Sequence, residues 1–320
     1  MKAAVYTNYG PPEIVKITSV NKPVPKDNEV LIKVHASTVN RTDCGFRSAN
    51  YFIVRFFSGL FRPKNKVLGC EYAGQIEAIG KNVTSFKIGD RVFGYNDATF
   101  GAHAEYVIVK EDSAISTIPS DIEYDRAAAI TEGAHYALCD IRAAKITAGQ
   151  NVLVNGATGA IGSAAVQIIK HLGATVTAVC ATKHMDLVTS LGADKVIDYT
   201  KQDFTQLQEK FDVIFDAVGK SSYGKCKPLL KSKGIYMSTE LGYMSQNPFL
   251  ALITPLFGGK KILFPIPTSS KKDVEFLKQL VVNKEFNPVI DKKYPLEQIV
   301  EAYTYVETGQ KTGNVIITIA

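Results

Sequence analysis

Hydrophobic and polar residues follow different rhythms in successive parts of the chain. In residues 1–122 the apolar runs are short. Glu29–His35 alternates apolar with polar, and Gly74–Ala78, Arg91–Phe93 and Ala104–Val109 are brief apolar stretches. Turn formers punctuate them at Gly10-Pro11-Pro12, Pro23, Pro25, Gly80 and Gly89-Asp90. Short runs between such residues read as strands, so this part predicts a barrel-like or open β domain. Ser120-Asp121-Ile122-Glu123 then reads as a capping box, opening a helical region through Ala127–Ala129 toward Leu138 and Arg142. From Asn151 onward strands and helices alternate. The predicted strands are Asn151–Asn155, Thr175–Val179, Lys195–Ile197, Val213–Phe215 and Gly234–Met237, with Gly173 and Gly192 ending two of the helices. Such alternation implies parallel strands joined by right-handed crossovers, a doubly wound sheet. Asp273–Asn283 and Leu296–Thr308 read as helices, and Asn314–Ile319 as a strand returning to the first domain. The predicted fold class is α/β, with one domain over 1–122 and 285–320 and a second over 123–284.

A chain of 320 residues is long enough for two domains, each with its own core. The net charge of +6 is small and its Lys and Arg residues are scattered. That balance suits an anionic small ligand and offers no stripe for nucleic acid. The five cysteines, Cys44, Cys70, Cys139, Cys180 and Cys226, are widely spaced and contain no C-x-x-C pair. Neither a disulfide framework nor a thiolate metal cluster is expected. Met1-Lys2-Ala3-Ala4-Val5-Tyr6 reads as a first strand rather than a signal peptide, and Tyr51–Phe61 and Pro248–Phe257 are too short and interrupted to span a bilayer. The expected location is cytoplasmic, with no membrane partner and no nucleic acid.

Candidate chemistry concentrates at Val152–Gly162, V-L-V-N-G-A-T-G-A-I-G. An apolar strand runs into a small-residue turn, and a helical pattern follows at Ile161, Ala165, Ile168, Ile169 and Leu172. Small residues let the backbone approach a pyrophosphate, and a helix N-terminus offers free N–H groups and the positive end of its dipole. The fingerprint G-x-G-x-x-G appears with Ala157 in place of its first glycine and Gly156 just before it. Gly156, Ala157, Thr158, Gly159, Ala160 and Ile161 are therefore cofactor-binding candidates. Enzymes that use NAD place an acid about 20 residues further on, for the ribose 2′-hydroxyl. Here that position is Cys180, followed by Ala181-Thr182-Lys183-His184. With no acid there, Thr182, Lys183 and His184 can hold a 2′-phosphate through charge-assisted hydrogen bonds, and the expected cofactor is NADPH.

Further segments fall in a recognisable order: Met1–Gly10 with Val15, Glu29-Val30-Leu31-Ile32-Lys33-Val34, Asn40-Arg41-Thr42-Asp43, Gly69-Cys70-Glu71-Tyr72-Ala73-Gly74 and Lys87-Ile88-Gly89-Asp90-Arg91-Val92. Leu191-Gly192-Ala193-Asp194, Val196-Ile197-Asp198-Tyr199 and Lys311-Thr312-Gly313-Asn314-Val315 complete the series. Across essentially all of its length the chain resembles the zinc-free quinone oxidoreductase, or enone reductase, branch of the medium-chain dehydrogenase/reductase superfamily. The resemblance implies a GroES-like β-barrel domain completed by the C-terminal segment, a Rossmann domain, an active site in the cleft between them, and a homodimer. Zinc-dependent relatives carry Cys in the segment matching Asn40–Asp43 and His where this chain has Cys70, so no metal is expected. The resemblance places Asn40 near the nicotinamide, its amide donating to a substrate oxygen. Some relatives have a tyrosine where this chain has Gly45, which leaves the proton donor open; Arg47, Tyr51 and Tyr72 are the substitutes considered, each also readable as structural or surface. By the same resemblance Thr131 approaches the nicotinamide, Tyr199 lies near the 2′-phosphate, Ala217 and Val218 line the cofactor path, and Leu241 and Phe264 flank the nicotinamide.

The implied activity is hydride transfer from NADPH to quinones or α,β-unsaturated carbonyls without zinc. An alcohol dehydrogenase-like carbonyl reductase and a non-catalytic NADPH-binding relative are the alternatives. The aromatic run Tyr51–Phe61 reads either as a wall or lid for a hydrophobic substrate or as core or dimer contact, and Phe249–Phe257 likewise.

Overall fold

The computed structural model describes residues 1–268 and 270–319. It divides into two compact units, Met1–Glu132 with Ser269–Val282 and Pro288–Ala320, and Gly133–Thr268 with Asn283–Asn287.

The first unit opens with β1 (Lys2–Val5) and β2 (Lys16–Ser19), an antiparallel pair. Next comes β3 (Glu29–Val39), the long strand on which the unit is organised. Two short helices follow, α1 (Arg41–Ser48) and α2 (Phe52–Ser58). The chain then returns through β4 (Glu71–Ile79), β5 (Arg91–Tyr95), β6 (Tyr106–Lys110), β7 (Ile115–Thr117) and α3 (Tyr124–Ala128). β3 pairs with β4 along one edge, and its first half pairs with β6 along the other. Gly74 permits the β3–β4 approach, since a Cβ there would stand 2.1 Å from the Lys33 carbonyl oxygen. Strand β3 runs four residues beyond the predicted Glu29–His35 because Ala36–Val39, less clearly alternating, gain a partner from the far end of the chain.

The second unit holds α4 (Glu132–Ala144) after its first residue, then β8 (Asn151–Asn155), α5 (Ala160–His171), β9 (Thr175–Cys180), α6 (Met185–Ser190), β10 (Lys195–Asp198), β11 (Phe211–Asp216), α7 (Tyr223–Cys226), β12 (Leu230–Ser238), α8 (Gln246–Ile253) and β13 (Lys261–Leu263). Its six strands are all parallel, in the order β10-β9-β8-β11-β12-β13. Counted from the first strand this is 3-2-1-4-5-6, the arrangement of dinucleotide-binding sheets. The last strand, only three residues long, had no readable alternation. Leu153, Val179, Phe211, Ile214 and Tyr236 fill the core on one face of this sheet.

Three later elements return to the first unit: α9 (Lys271–Val282), β14 (Ile290–Pro295) and α10 (Ile299–Glu307), with β15 (Asn314–Thr318) closing the chain. β15 pairs antiparallel with Ala36–Val39 of β3, as expected, and parallel with β14.

The structure draws the domain boundaries differently from 1–122/285–320 and 123–284. Helix α3 packs on β3, β4, β5 and β15. Helix α9 is tied to β7, where Ser116 Oγ donates to Glu275 at 2.6 Å and Lys278 Nζ donates to Thr117 Oγ1 at 2.7 Å. Both helices therefore belong with the first unit. The predicted capping box at Ser120–Glu123 is also absent: Glu123 is the N-cap of α3 and no side chain caps that helix.

Candidate active site

In the second unit the cofactor candidates gather at one place, the carboxyl end of the parallel strands. Residues 156–161 follow β8, Cys180 ends β9 with Thr182, Lys183 and His184 just beyond, and Tyr199 follows β10. Ala217 and Val218 follow β11, Leu241 lies beyond β12, and Phe264 follows β13. Ligands of such sheets bind outside the carboxyl ends, at the point where the strand order reverses. Here that point lies between β8 and β11.

The turn after β8 has no room for a side chain at Gly156 or Gly162. Gly156 has φ = 80°, and a Cβ on it would meet Val218 Cγ1 at 2.3 Å. A Cβ on Gly162 would lie 2.1 Å from the Gly156 carbonyl oxygen, so helix α5 starts in direct contact with the turn. Gly159 is the N-cap of α5 and leaves its first N–H groups without a side-chain cap; the nearest atom to a Cβ there is 3.8 Å away. Ala157 substitutes for the first fingerprint glycine without strain, because the left-handed conformation falls on Gly156. Ala157 itself is buried and donates its N–H to Val179 O at 3.1 Å. An open helix N-terminus and a bare glycine facing it fit a pyrophosphate.

Two polar residues the sequence reading missed hold the switch point together. Asn155 Nδ2 donates to Asp216 Oδ1 at 3.0 Å, joining the ends of β8 and β11. Asp216 Oδ2 also accepts from Ser221 N at 2.8 Å and Tyr236 OH at 3.1 Å. The signal was present: V-L-V-N and V-I-F-D each place one polar residue at the end of an apolar strand.

The end of β9 requires a correction. No acid follows Cys180 in sequence, but β10 brings Asp198 beside it. The Thr182 hydroxyl donates to Asp198 Oδ2, Thr200 Oγ1 donates to Asp198 Oδ1 at 2.6 Å, and Lys201 Nζ lies 3.6 Å from Oδ2. These hydroxyl bonds hold the Asp198 carboxyl down at about 2. Thr182 therefore has its proton committed to an ionised carboxylate. Lys183 and Tyr199 are exposed beside it.

In the first unit the Asn40–Asp43 motif is a capping box for α1. Asn40 Oδ1 accepts from Asp43 N at 3.0 Å, and Asp43 Oδ2 accepts from Asn40 N at 3.2 Å. Asp43 Oδ1 further accepts from Gly69 N at 3.0 Å, pinning the turn before β4, and burial raises the Asp43 carboxyl to about 7. The Asn40 amide nitrogen points to Cys70 Sγ at 3.0 Å and to Thr38 Oγ1 at 3.5 Å. Its hydrogens are turned to protein partners, and the residue holds the β3–α1 turn. Arg47 is corrected as well. It is fully buried, donates to the Gly10 carbonyl oxygen, pairs with Glu307 and lies over the Tyr303 ring, a packing role far from proton donation.

Glu71, wholly buried at the start of β4, collects four hydrogen bonds. Oε2 accepts from Thr38 Oγ1 at 2.5 Å; Oε1 accepts from Thr131 Oγ1 at 2.7 Å, Thr131 N at 3.1 Å and Glu132 N at 2.6 Å. Thr131 is thus fixed in position, its hydroxyl spent on Glu71. Beside it Glu132 accepts from Thr42 Oγ1 at 3.0 Å, and burial, reinforced by the Glu71 charge, lifts its carboxyl to about 8. Burial lowers the nearby Lys311 ammonium, against the pull of Glu132.

The donors here do not fit a catalytic zinc, which needs three N, S or O ligands and an open position. Burial raises Cys70 well above the ordinary thiol range, so it is a protonated acceptor for Asn40. His103 is buried with Nε2 on Thr38 O at 2.8 Å. Among the described residues no three His, Cys, Asp or Glu side chains come together as a ligand set.

A dinucleotide-type sheet and a β unit of this topology in one chain point to a nucleotide-dependent dehydrogenase or reductase. Comparison agrees. Residues 26–120 match the alcohol dehydrogenase GroES-like domain, and residues 191–317 match a family described as zinc-binding dehydrogenase. The chain is 33% identical to 2-methylene-furan-3-one reductase of Solanum lycopersicum and 31% identical to NADPH-dependent alkenal/one oxidoreductase, chloroplastic, of Arabidopsis thaliana. Each of these alignments covers 99% of this chain and 79% of the relative. It is 31% identical to quinone oxidoreductase of Homo sapiens, over 99% of this chain and 97% of that protein. The chain belongs to the medium-chain dehydrogenase/reductase family of pyridine-nucleotide-dependent oxidoreductases, among the relatives named for quinone and enone reduction.

Two outcomes follow. Gly162→Ala forces α5 away from Gly156 and weakens pyridine-nucleotide binding by about tenfold or more in a fluorescence titration, while far-ultraviolet dichroism stays that of a folded chain. Glu132 keeps its proton to about 8 in the folded chain and loses it near its ordinary 4.5 when unfolded. Between those values the unfolded state binds fewer protons, so stability falls as pH rises through this window. Glu132→Gln removes that titration, and its denaturant-melt stability declines less steeply over the same window, by about one proton's worth of slope.

Proposed function

We propose that the chain is an NADPH-dependent reductase that delivers hydride to quinones or α,β-unsaturated carbonyls without a metal. One observation carries the reading: a dinucleotide cradle stands in a chain whose Asn40 and Cys70, at the family's metal position, bond to each other instead of forming a ligand set. A saturated carbonyl gains most from a Lewis acid, whereas a conjugated acceptor spreads the incoming charge into an enolate or hydroquinone oxygen and needs less help. The relatives named for enone and quinone reduction support the same acceptor class.

When bound, the cofactor supplies the hydride. The chain's own part is positioning. Gly156, Gly159 and the start of α5 receive the pyrophosphate, and Ala157, Thr158, Ala160 and Ile161 shape that turn. Asn155 and Asp216 keep the ends of β8 and β11 together, with Ala217 and Val218 beside them. Leu241 and Phe264 cover the nicotinamide end. Glu71 holds Thr131, and Asn40 holds the loop before α1. With the protons of Asn40 and Thr131 turned to protein partners, the proton that completes the reduction comes from water. Lys183, with Tyr199 and His184, favours a 2′-phosphate, while the Asp198 carboxylate opposes it; the exposed lysine decides for NADPH. Five cysteines with no disulfide among the described residues support a reducing compartment such as the cytoplasm, and the family's habit of pairing supports a homodimer.

The test is oxidation of NADPH and NADH by the purified protein with a quinone, an enone and a saturated aldehyde. Turnover of the conjugated acceptors with NADPH, at least about tenfold above the aldehyde, is expected. Turnover of the aldehyde alone, or none with any acceptor, defeats the proposal. Asp198→Asn frees the Thr182 hydroxyl and removes a like charge, and shifts the NADPH-to-NADH affinity ratio upward by about tenfold.

A further inference from the structure

The segment Tyr51–Phe61 is neither core nor a covered wall. Tyr51, Phe52, Ile53, Phe56, Phe57 and Phe61 are each more than half exposed, Phe61 at 85%. Six large apolar side chains this exposed within one short segment mark an interaction surface. The backbone that carries them is held firmly. Tyr9 OH bonds Ser58 Oγ at 2.7 Å and donates to Gly59 O at 2.6 Å, Ser58 Oγ donates to Val54 O at 2.9 Å, and the Arg55 guanidinium lies over the Tyr9 ring. The polar groups of α2 thus face inward as its anchor, and its aromatics face out.

Charge says what the surface meets. From Cys44 to Cys70 the sequence has five cations, Arg47, Arg55, Arg62, Lys64 and Lys66, and no Asp or Glu. Arg47 is buried, but Arg62, Lys64 and Lys66 stand exposed directly after the aromatic run. A second copy of the chain is a poor occupant, because a two-fold contact sets each patch against itself and brings cations to cations. Exposed Phe and Tyr beside Lys and Arg, with no acid between, complement a surface that is apolar within and anionic outside.

We propose that α2 and the residues after it dock the protein on an anionic lipid surface. The aromatics enter the boundary between headgroups and acyl chains, and Arg62, Lys64 and Lys66 meet the lipid phosphates. This contact is peripheral; among the described residues no helix is long and apolar enough to cross a membrane. Such docking runs against the expectation, drawn from sequence, of no membrane partner.

The test is sedimentation of the purified full chain with vesicles of phosphatidylcholine alone or with one third phosphatidylglycerol. Binding to the anionic vesicles should exceed binding to the neutral ones by about tenfold or more and fall with added salt. Phe56→Asp with Phe57→Asp should bring it down to the neutral level. Arg62→Glu with Lys64→Glu, which leaves the aromatics in place, should do the same. Failure of the parent protein to sediment with anionic vesicles overturns the proposal, as does undiminished binding by either variant. If the aromatic variant instead changes the sedimentation coefficient from that of an oligomer to that of a monomer and the parent ignores vesicles, a second copy is the occupant and the lipid surface is rejected.

Discussion

The Glu71 carboxylate is the joint of the first unit. A buried carboxylate is costly unless donors surround it, and here the donors come from separate parts of the chain. Thr38 lies on β3, Thr131 lies beyond α3, and the Glu132 N–H opens α4. One charged group therefore fixes a strand, a turn and a helix start at once. The residues around it are cut to the same purpose. Gly69 has φ = 91°, and a Cβ there would collide with His103 N at 2.5 Å, so the chain can enter β4 only through glycine. Asp43 captures the Gly69 N–H, and Asn40 reaches Cys70. The Gly69–Gly74 and Asn40–Asp43 motifs, separate in sequence, form one hydrogen-bonded block.

The second unit solves a different problem with less polar chemistry. Its turn after β8 leaves the first N–H groups of α5 without a side-chain cap, and it achieves this by removing side chains rather than adding charges. Gly156 turns the chain, Gly162 lets α5 begin against that turn, and Gly133 lets α4 pass the start of α5, where a Cβ would stand 2.6 Å from the Ala160 carbonyl carbon. Besides the buried Asp216, a second carboxylate stands at the end of β10. There Asp198 is held ionised by the hydroxyls of Thr182 and Thr200, with the exposed Lys183 next to Thr182 in the chain.

Much of this was legible in the chain. Strand β8 falls at its predicted residues, because an apolar run ending in glycines has one reading, and the helix α5 period is unbroken. The motif order pointed to the family, and the doubly wound sheet followed from strand–helix alternation. What stayed hidden was contact between distant residues. That Asn40 caps α1 and that Arg47 pairs with Glu307 could not be read from the motif, because polar side chains with such partners are indistinguishable, in sequence, from polar side chains without them.

Local pattern thus determined the elements, their alternation and the glycine turn, since each depends on residues within a few positions of one another. Tertiary structure decided which polar groups are spent and which are available. The neighbour that commits Thr182 is on the next strand, sixteen residues away, and the neighbour that commits Thr131 is sixty residues away. It also decided that the aromatics of α2 face outward. An apolar run reads the same whether it is buried or exposed, and only the anchor formed by Tyr9, Ser58 and Arg55 fixes which side of the helix the fold covers.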